Sequence, residues 1–476
     1  MVFLVLLLCV PLSWSQEVVP TFRVDLQPPE DLQRQAVVER NVITSWITMP
    51  VDHFDPHNSD TFQMRFMYNE DYFGGDGYPV FIMVGGEWNI AEGWLRGGNM
   101  FHMAVENQGY QIYTEHRYYG ETLPYTNFTT ENLRFLNVDQ ALADLAYFIK
   151  ELKKQPRFAN SKIILYGGSY AGNMVLWFKQ RYPHLVVGGV ASSAPILAEI
   201  DFTGYLEVVH DAFLSEGGEQ CIATITQGIQ DTVAAMETEA GRRSLEAAYR
   251  LCAPLDYDDK FTLGYFSGLI TWRFSGVTQT AAPGRIINIC NNFATNVYGE
   301  TPMQKIGGFI AAEAGLLTCW SMTFQMLILT YSLNNNNRAW YYQTCTEYGY
   351  FQNAPSSGTV FDALKWLDVE FYAEVCKVAF HPRFDEAFLF DAAKRVNTMF
   401  GGLHPDVNNT INIHGTIDPW HVLGVHDRDL KESSPTFTVP RASHCFDMQN
   451  WLTTDTIQMT QVKQNTRRLV ARWLSD

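Results

Sequence analysis

Short apolar runs alternate with amphipathic stretches through the first two hundred residues of the chain. Apolar side chains recur at helical spacing over 138–152, and 172–182 predicts a second helix that Pro183 ends. Around these helices lie four runs typical of buried strands, at 79–84, 110–114, 162–166 and 186–191. Strands that alternate with helices predict an α/β fold built on a parallel sheet.

The pattern changes after about residue 200, where strand runs become rare and helical stretches such as 228–251 dominate. One stretch of this region, 314–333, carries no charge. Its hydroxyl and amide side chains are unsuited to hydrocarbon, so it predicts a buried helix rather than a membrane span. Strand runs return at 410–414 and 436–439, and an amphipathic closing helix is predicted at 456–474.

The N-terminus has the pattern of a secretory signal peptide. Residues 2–12 are apolar and uncharged, and the small residues Ser13 and Ser15 favour cleavage before Gln16. The run is too short to span a bilayer, so we expect a secreted or lysosomal protein without a membrane anchor. The simplest division is a signal peptide at 1–15, an α/β domain in two parts at 16–200 and 385–476, and a mostly helical insertion, or cap domain, at 201–384.

Composition narrows the classes of function. The 34 basic residues face 51 acidic ones, a net charge of −17 that repels nucleic acid and anionic lipid. The apolar fraction of 46% is that of a folded globular protein. No cysteine lies in a C-x-x-C pair, so the sequence predicts no metal site, and nothing in it predicts a cofactor.

Cysteine usage agrees with export. Cys9 belongs to the predicted signal peptide, and six of the other seven cysteines lie within 221–376, which indicates a region stapled by disulfides. The odd number leaves Cys445, which we expect to be a free thiol because the other six can pair among themselves. Sequons at Asn127 and Asn408 predict N-glycosylation in the same compartment.

The strongest local motif surrounds Ser169. A predicted strand runs into Gly167-Gly168-Ser169-Tyr170-Ala171, and a predicted helix follows at once. This context is typical of a nucleophile elbow, a strained turn that needs small neighbours and lifts a serine hydroxyl above the sheet. The helix N-terminus behind such a serine favours developing negative charge. The alternative is an ordinary glycine-rich turn with an exposed serine.

An elbow serine needs an acid and then a histidine later in the chain. Asp418 follows the predicted strand 410–414, and His444 follows the predicted strand 436–439, so both belong at the carboxyl edge of the sheet, where sites collect. His421 and His426 are rivals for the base, although His421 is too close to Asp418 in sequence to reach round to it. Ser169, Asp418 and His444 together predict a catalytic triad.

With these residues in place, the sequence resembles the family of lysosomal Pro-X carboxypeptidase, dipeptidyl peptidase II and thymus-specific serine protease. The resemblance extends over nearly the whole mature chain. It is carried by ordered motifs, namely Pro50-Val51-Asp52-His53-Phe54, Gly85-Gly86-Glu87, Glu115-His116-Arg117-Tyr118-Tyr119-Gly120, 137–143, Gly167-Gly168-Ser169-Tyr170, Asp418-Pro419-Trp420 and Ser443-His444. It implies an α/β-hydrolase sheet interrupted by a helical insertion, with Ser169, Asp418 and His444 as the triad and dimers common among its members.

The resemblance also implies roles around the triad. Oxyanion donors are expected on the backbone N–H of Tyr170 and in the turn at Gly86, and Trp420 is expected to line the proline pocket. The position four beyond the serine, commonly apolar in that pocket, is Asn173 here. Glu87 either receives a substrate amino terminus or caps a turn. The cysteine order resembles a pairing of Cys221 with Cys290, Cys252 with Cys319 and Cys345 with Cys376.

Three functional hypotheses follow. The leading one is a serine exopeptidase that cleaves peptides after proline, with alanine tolerated, because Asn173 places an amide against the hydrocarbon ring. We favour release of dipeptides from the N-terminus, with Glu87 as amine anchor, over release of single residues from the C-terminus. An esterase or lipase on the same fold is the second hypothesis. A catalytically inactive hydrolase used as a binding module is the third, and the complete triad disfavours it.

Overall fold

A computed structural model describes residues 26, 28, 41–315, 319–426 and 433–476. The predicted signal peptide and its cleavage site lie outside these residues. Within the described ranges, no helix combines the length and the apolar character needed to cross a membrane.

An eight-stranded sheet forms the centre of the described structure, in the order β1-β2-β4-β3-β5-β6-β7-β8. Its strands are β1 Ile43–Pro50, β2 Thr61–Asn69, β3 Val80–Met83, β4 Tyr110–Thr114, β5 Ile163–Gly168, β6 Gly188–Ser192, β7 Thr410–Gly415 and β8 Thr436–Val439. The strands from β4 to β8 in this order are parallel, as predicted. The prediction missed β1 and β2, which pair antiparallel at one edge, so the sheet is mixed.

Helices cover both faces of the sheet. Those of the described residues are α1 Asn99–Glu106, α2 Thr130–Leu133, α3 Val138–Lys153, α4 Tyr170–Arg181, α5 Gly204–Gly217, α6 Glu219–Ala235, α7 Glu239–Ala248, α8 Lys260–Gln279, α9 Arg285–Ala294, α10 Pro302–Glu313, α11 Phe324–Thr330, α12 Asn336–Gln343, α13 Val369–Ala379, α14 Glu386–Phe400 and α15 Ile457–Ser475. A π-helical turn spans Thr344–Tyr348. Short 3-10 turns lie at Glu92–Leu95, Pro156–Phe158, Pro419–Leu423 and Phe446–Met448.

Alternating side chains of the central strands divide the core into two layers. On β5, Leu165 belongs to the layer that contains Leu142 of α3 and Trp177 of α4. Its neighbour Ile164 belongs to the opposite layer, with Trp473 of α15. This period of two is what a strand buried on both faces requires. Together with the strand order, this arrangement confirms the predicted α/β-hydrolase sheet. The mostly helical insertion is confirmed by the helices between β6 and β7.

The insertion leaves the sheet between two adjacent strands. β6 ends at Ser192, and its parallel neighbour β7 begins only at Thr410, so the carboxyl edge of β6 carries the whole helical region. Three disulfides join parts of this region: Cys221–Cys290, Cys252–Cys319 and Cys345–Cys376, the pairs that the resemblance implies. The domain boundaries at 200 and 384 stay a prediction.

Two helix predictions in the insertion were wrong. The stretch 228–251 holds the end of α6 and the separate helix α7, because the Thr238 hydroxyl accepts the N–H of Gly241 and starts a new helix. The stretch 314–333 is not one helix. Trp320, beside the Cys252–Cys319 disulfide, pairs in extended form with Leu251, and only α11 is helical in the described part of this stretch.

Candidate active site

Ser169 lies at the strained turn between β5 and α4. Its φ of 57° falls in the left-handed region that non-glycine residues rarely adopt. The turn is held on both sides, because the N–H of Ser169 donates to the carbonyl of Ser192 at 2.8 Å and its carbonyl accepts the N–H of Gly172 at 2.8 Å. Backbone strain maintained in this way is typical of functional positions. Ser169 therefore has the geometry of a nucleophile elbow.

The small residues around Ser169 are required by close backbone approach. A Cβ on Gly167 would lie 2.4 Å from the carbonyl oxygen of Ala171. A Cβ on Gly172 would lie 3.0 Å from the Cβ of Ala194. Helix α4 thus packs so tightly on the ends of β5 and β6 that side chains at these positions would displace the serine.

Asp418 and His444 form a buried pair at the same edge of the sheet. Nδ1 of His444 lies 3.0 Å from both carboxylate oxygens of Asp418, and Asp418 is fully buried. The backbone N–H of Trp420 also donates to this carboxylate, at 3.1 Å. Because a carboxylate only accepts, Nδ1 carries the proton. In the neutral ring this leaves Nε2 with a lone pair, as a general base needs.

The loop that carries His444 is anchored beside Ser169. The N–H of Cys445 donates to the hydroxyl of Ser193 at 2.9 Å, and the Cys445 thiol lies 3.7 Å from the Ser192 carbonyl that also accepts the N–H of Ser169. Nε2 of His444 is buried and has no hydrogen-bond partner within the described part of the chain, so it is not bonded to the Ser169 hydroxyl. Catalytic hydrogen bonds often tighten only when substrate is bound.

The two members of the pair stabilise each other's charged forms. Burial by itself would raise the pKa of Asp418, but the adjacent His444 and the hydrogen bonds from Ser193 and Trp420 together outweigh burial, so the pKa lies below its ordinary value. Burial would likewise lower the pKa of His444, but the Asp418 carboxylate and, to a smaller extent, the adjacent Cys445 together raise it well above the ordinary value. A carboxylate that stays ionised beside a histidine stabilises the imidazolium that forms during acyl transfer.

The backbone and the side chain of Tyr170 have different surroundings. As the first residue of α4, it presents its N–H at a helix N-terminus, where an oxyanion would be stabilised. Its hydroxyl is fixed from three sides, by Nε2 of His116 at 3.0 Å, Nε2 of Gln343 at 3.2 Å and the Tyr348 hydroxyl at 3.2 Å. This buried network fixes the start of the helix.

The turn at Gly85-Gly86 follows β3 at the same edge. The N–H of Val84 donates to the carbonyl of Tyr166 at 2.8 Å, which aligns the end of β3 with the end of β5. A Cβ on Gly85 would lie 2.2 Å from the carbonyl oxygen of Thr114, so only glycine fits this turn. The fold thus places Gly86 and Tyr170 on neighbouring strand ends.

Trp420 lies in an aromatic cluster next to His444. The centroid of its indole lies 6.4 Å from the His444 ring. Three rings of the insertion pack against it, those of Tyr205 at 5.1 Å, Tyr350 at 5.4 Å and Phe202 at 5.8 Å. Aromatic faces of this kind suit a compact apolar ring such as that of proline.

Asn173 borders the cluster, and its amide orientation is fixed. Nδ2 donates to the carbonyl of Pro195 and to the hydroxyl of Tyr350, both at 3.1 Å, and that hydroxyl itself donates to Pro195. In the reverse orientation Oδ1 would face the carbonyl oxygen of Pro195 and the hydroxyl oxygen of Tyr350, whose proton is already donated to Pro195. Oδ1 is buried without a partner within the described residues. The polar group predicted for the pocket is therefore largely occupied in holding Tyr350.

Glu87 is 5% exposed and follows the glycine turn. Its charge raises the pKa values of Tyr170 and Tyr350, although burial of the two phenols is the larger cause. Glu87 thus lies within electrostatic range of both the elbow and the aromatic cluster.

The other polar residues singled out from the sequence have structural surroundings. Nδ1 of His421 bonds the backbone carbonyl of Asp418, and Nε2 of His426 bonds the carbonyl of His421, so among the described residues neither ring is bonded to the Asp418 carboxylate. Arg117 is fully buried and pairs with Asp144 through two hydrogen bonds, at 2.6 and 2.7 Å.

No cluster of potential metal ligands occurs among the described residues. Asn127 and Asn408 are exposed, and their glycosylation stays a prediction.

Sequence reasoning missed the residues that the insertion contributes to this region. Phe202, Tyr205 and Tyr350 carry no local motif, and the aromatic content of the chain is high throughout. What identifies them is their contact with Trp420, and this contact exists only in the folded chain. The backbone carbonyl of Gln279, which accepts the N–H of His444 at 3.2 Å, was missed for the same reason.

Comparisons with known proteins identify a family and several relatives that the chain resembles. The model of the family described as serine carboxypeptidase S28 matches residues 49–466. The chain is 29% identical over 451 residues to thymus-specific serine protease of Mus musculus, covering 90% of this chain and 87% of the relative. It is 26% identical over 469 residues to lysosomal Pro-X carboxypeptidase of Bos taurus, covering 90% and 88%. Among solved structures it is similar to proline iminopeptidase of Mycobacterium smegmatis, with 12% identity, a TM-score of 0.38 and coverage of 90% and 98%.

Proposed function

The chain belongs to the serine carboxypeptidase S28 family of serine peptidases, and on that premise we propose that it is an exopeptidase that cleaves after proline or alanine with Ser169, Asp418 and His444 as its triad. One observation carries the proposal. His444 donates from Nδ1 to a buried carboxylate and keeps Nε2 unpartnered within the described residues, on a loop anchored beside a strained serine.

The mechanism follows from these positions. Nε2 of His444 takes the proton of the Ser169 hydroxyl as Oγ attacks the scissile carbonyl carbon. The resulting oxyanion is placed to accept hydrogen bonds from the N–H of Tyr170 and from the turn at Gly86. The imidazolium then gives its proton to the leaving amine. A water molecule then attacks the acyl group on Ser169. His444 takes a proton from this water and returns it to Oγ of Ser169 as the product acid leaves.

Selectivity at the residue before the cleaved bond is proposed to come from the aromatic cluster. A proline ring fits against Trp420 and the rings that surround it, and it needs no hydrogen-bond partner for a backbone N–H. Asn173 adds beside that surface one carbonyl oxygen that has no partner in the described part of the chain. We therefore expect proline to be preferred by about tenfold over alanine, since one apolar contact is worth about 1–3 kcal/mol.

Exopeptidase action is proposed to follow from the insertion, which leaves the sheet at the edge that carries the triad. Phe202, Tyr205 and Tyr350 of this region pack directly on Trp420, so the insertion closes one side of the site. Glu87, a buried carboxylate near Tyr350, is the proposed anchor for a substrate amine, which favours release of dipeptides from the N-terminus.

The compartment and assembly are also proposals. A lysosomal relative and the predicted signal peptide support a secreted or lysosomal location. A homodimer stays a prediction from the resemblance.

Mass spectrometry of a digested peptide library tests the proposal. We expect dipeptides ending in proline or alanine as the products. Cuts within long peptides, equal cleavage after charged residues and proline, or turnover of acyl esters without turnover of peptides would contradict it. Release of single C-terminal residues after a penultimate proline would agree with a peptidase but would show that it acts on the C-terminus of its substrates and not on the N-terminus.

A further inference from the structure

We infer that Tyr205, a residue of the helical insertion, is a positioning residue that holds His444 and Asp418 in register with each other. The inference rests on the proposed function, since it assigns Tyr205 to the same triad. Tyr205 is fully buried near the start of α5 and contacts one neighbour of each member of the pair.

The first contact leads to His444. The Tyr205 hydroxyl donates to Oε1 of Gln279 at 2.9 Å, and both side chains are buried. Gln279 is the last residue of α8, and its backbone carbonyl accepts the N–H of His444 at 3.2 Å. The side chain and the backbone of one residue therefore connect the Tyr205 hydroxyl to the histidine.

The second contact leads to Asp418. The ring of Tyr205 meets the indole of Trp420 edge to face, with centroids 5.1 Å apart and planes at 80°. The backbone N–H of Trp420 donates to Oδ1 of Asp418 at 3.1 Å. Since Asp418 binds Nδ1 of His444, the five residues form a closed ring of contacts, to which the insertion contributes Tyr205 and Gln279.

A second link between the insertion and the same loop is weaker. Arg441 pairs with Glu216 of α5 through two hydrogen bonds of 2.6 Å, but the Arg441 side chain is 65% exposed. Exposed ion pairs contribute little, whereas a buried hydrogen bond resists displacement because an unpaired partner is costly. The position of His444 is therefore expected to depend on Tyr205 far more than on Arg441.

Catalytic groups must be held to within about 0.5 Å of their productive positions. Tyr205→Phe removes the hydroxyl and keeps the ring against Trp420. We expect it to lower kcat about tenfold and to leave KM within about twofold, since proton transfer suffers while the aromatic surface remains. Tyr249→Phe is the matched control, because Tyr249 is also buried in the insertion and bonds Thr232 at 2.8 Å, away from Trp420 and His444.

The rate of reaction with a fluorophosphonate measures the triad independently of peptide preference. In that reaction the Ser169 Oγ–P bond forms, the P–F bond breaks, and the serine proton passes to His444. We expect the second-order rate constant to fall about tenfold in Tyr205→Phe and to stay unchanged in Tyr249→Phe at matched thermal stability. Gln279→Met should give the same loss, and the double variant of Tyr205 and Gln279 should lose no more than either single variant.

Each outcome decides. Equal labelling rates in the two tyrosine variants, a loss in KM alone, or additive losses in the double variant would overturn the positioning role. If wild-type Ser169 is labelled but no peptide is cleaved, the peptidase proposal fails while Tyr205 is still tested by labelling. Absence of labelling at wild-type Ser169 would overturn both.

Discussion

Asp418 binds His444 through both carboxylate oxygens, each 3.0 Å from Nδ1. The two residues come from different strand ends, β7 and β8, that lie side by side in the sheet. His444 has 6% of its side chain exposed and Asp418 none, so water competes little for this contact. The pair therefore fixes both the tautomer and the orientation of the imidazole.

Asp418→Asn tests that relationship. An amide in place of the carboxylate no longer stabilises the imidazolium or fixes the tautomer, so kcat should fall by about 10³–10⁴-fold. The carboxylate raises the pKa of His444, and the base must be neutral, so kcat/KM should rise with pH through that pKa. In the variant the pKa falls, and the acid limb of the residual activity should move to lower pH. An acid limb that stays in place would contradict the assignment.

Asn173 provides a test of pocket polarity. Asn173→Leu removes Oδ1, which has no partner among the described residues, and adds apolar surface beside Tyr350, which packs on Trp420. The ratio of kcat/KM for X-Pro over X-Ala reporter dipeptides should therefore rise by about tenfold. Asn69→Leu is the control, since Asn69 is also a buried amide but bonds Leu95 on the β1–β2 side of the sheet. A ratio that stays the same, or shifts equally in both variants, would remove Asn173 from the pocket.

Cys445 is buried and free in the structure, and the six other described cysteines are paired. We expect non-reducing peptide mapping to recover Cys445 as a thiol. Thiol titration should find it unreactive in the native protein and reactive after unfolding, because only 1% of the residue is exposed. Recovery of Cys445 in a disulfide would show that the pairing or the loop is wrong.

Glu347 predicts a pH dependence of stability. Burial raises its pKa to about 7, although the N–H of Val138 and the nearby Arg395 oppose the rise. When the pKa of a carboxyl group is higher in the folded than in the unfolded protein, folding favours the protonated group. This stabilisation is complete below the pKa of the unfolded state and is lost as the pH rises to the pKa of the folded state. The loss should be on the order of 3 kcal/mol between about pH 4.5 and pH 7.

Glu347→Gln is neutral at every pH and keeps an oxygen for the N–H of Val138. Urea unfolding of both proteins at pH 4 to 8 measures the effect. The free energy of unfolding of the wild type should fall relative to that of the variant across this window. Parallel curves for the two proteins would show that Glu347 is not a buried titrating group.

The sequence led to the strained turn at Ser169 and to the buried pair of Asp418 and His444 because its signals there are local. Ser169 lies in a five-residue motif between a strand and a helix, and Asp418 and His444 each follow a strand run in the order that an elbow requires. Strand ends of a parallel sheet meet at one edge, so order along the chain sufficed to assign these three residues to the same edge.

The parts that the sequence did not predict depend on distant contacts. Strand β1 alternates exposed and half-buried side chains and lacks an apolar run, so it gave no buried-strand signal. Tyr205 and Gln279 are 74 positions apart, and neither carries a motif. Their role arises only when α5 and α8 pack beside the loop that carries His444.

The most direct test of Ser169 as the nucleophile is the turnover of Ser169→Ala on the best X-Pro reporter. Alanine removes the nucleophile and adds no bulk, so the protein should fold and melt like the wild type. We expect kcat to fall by at least about 10³-fold, to the residual rate that the oxyanion donors alone support. A clean preparation that keeps more than about a tenth of wild-type turnover would remove Ser169 as the nucleophile.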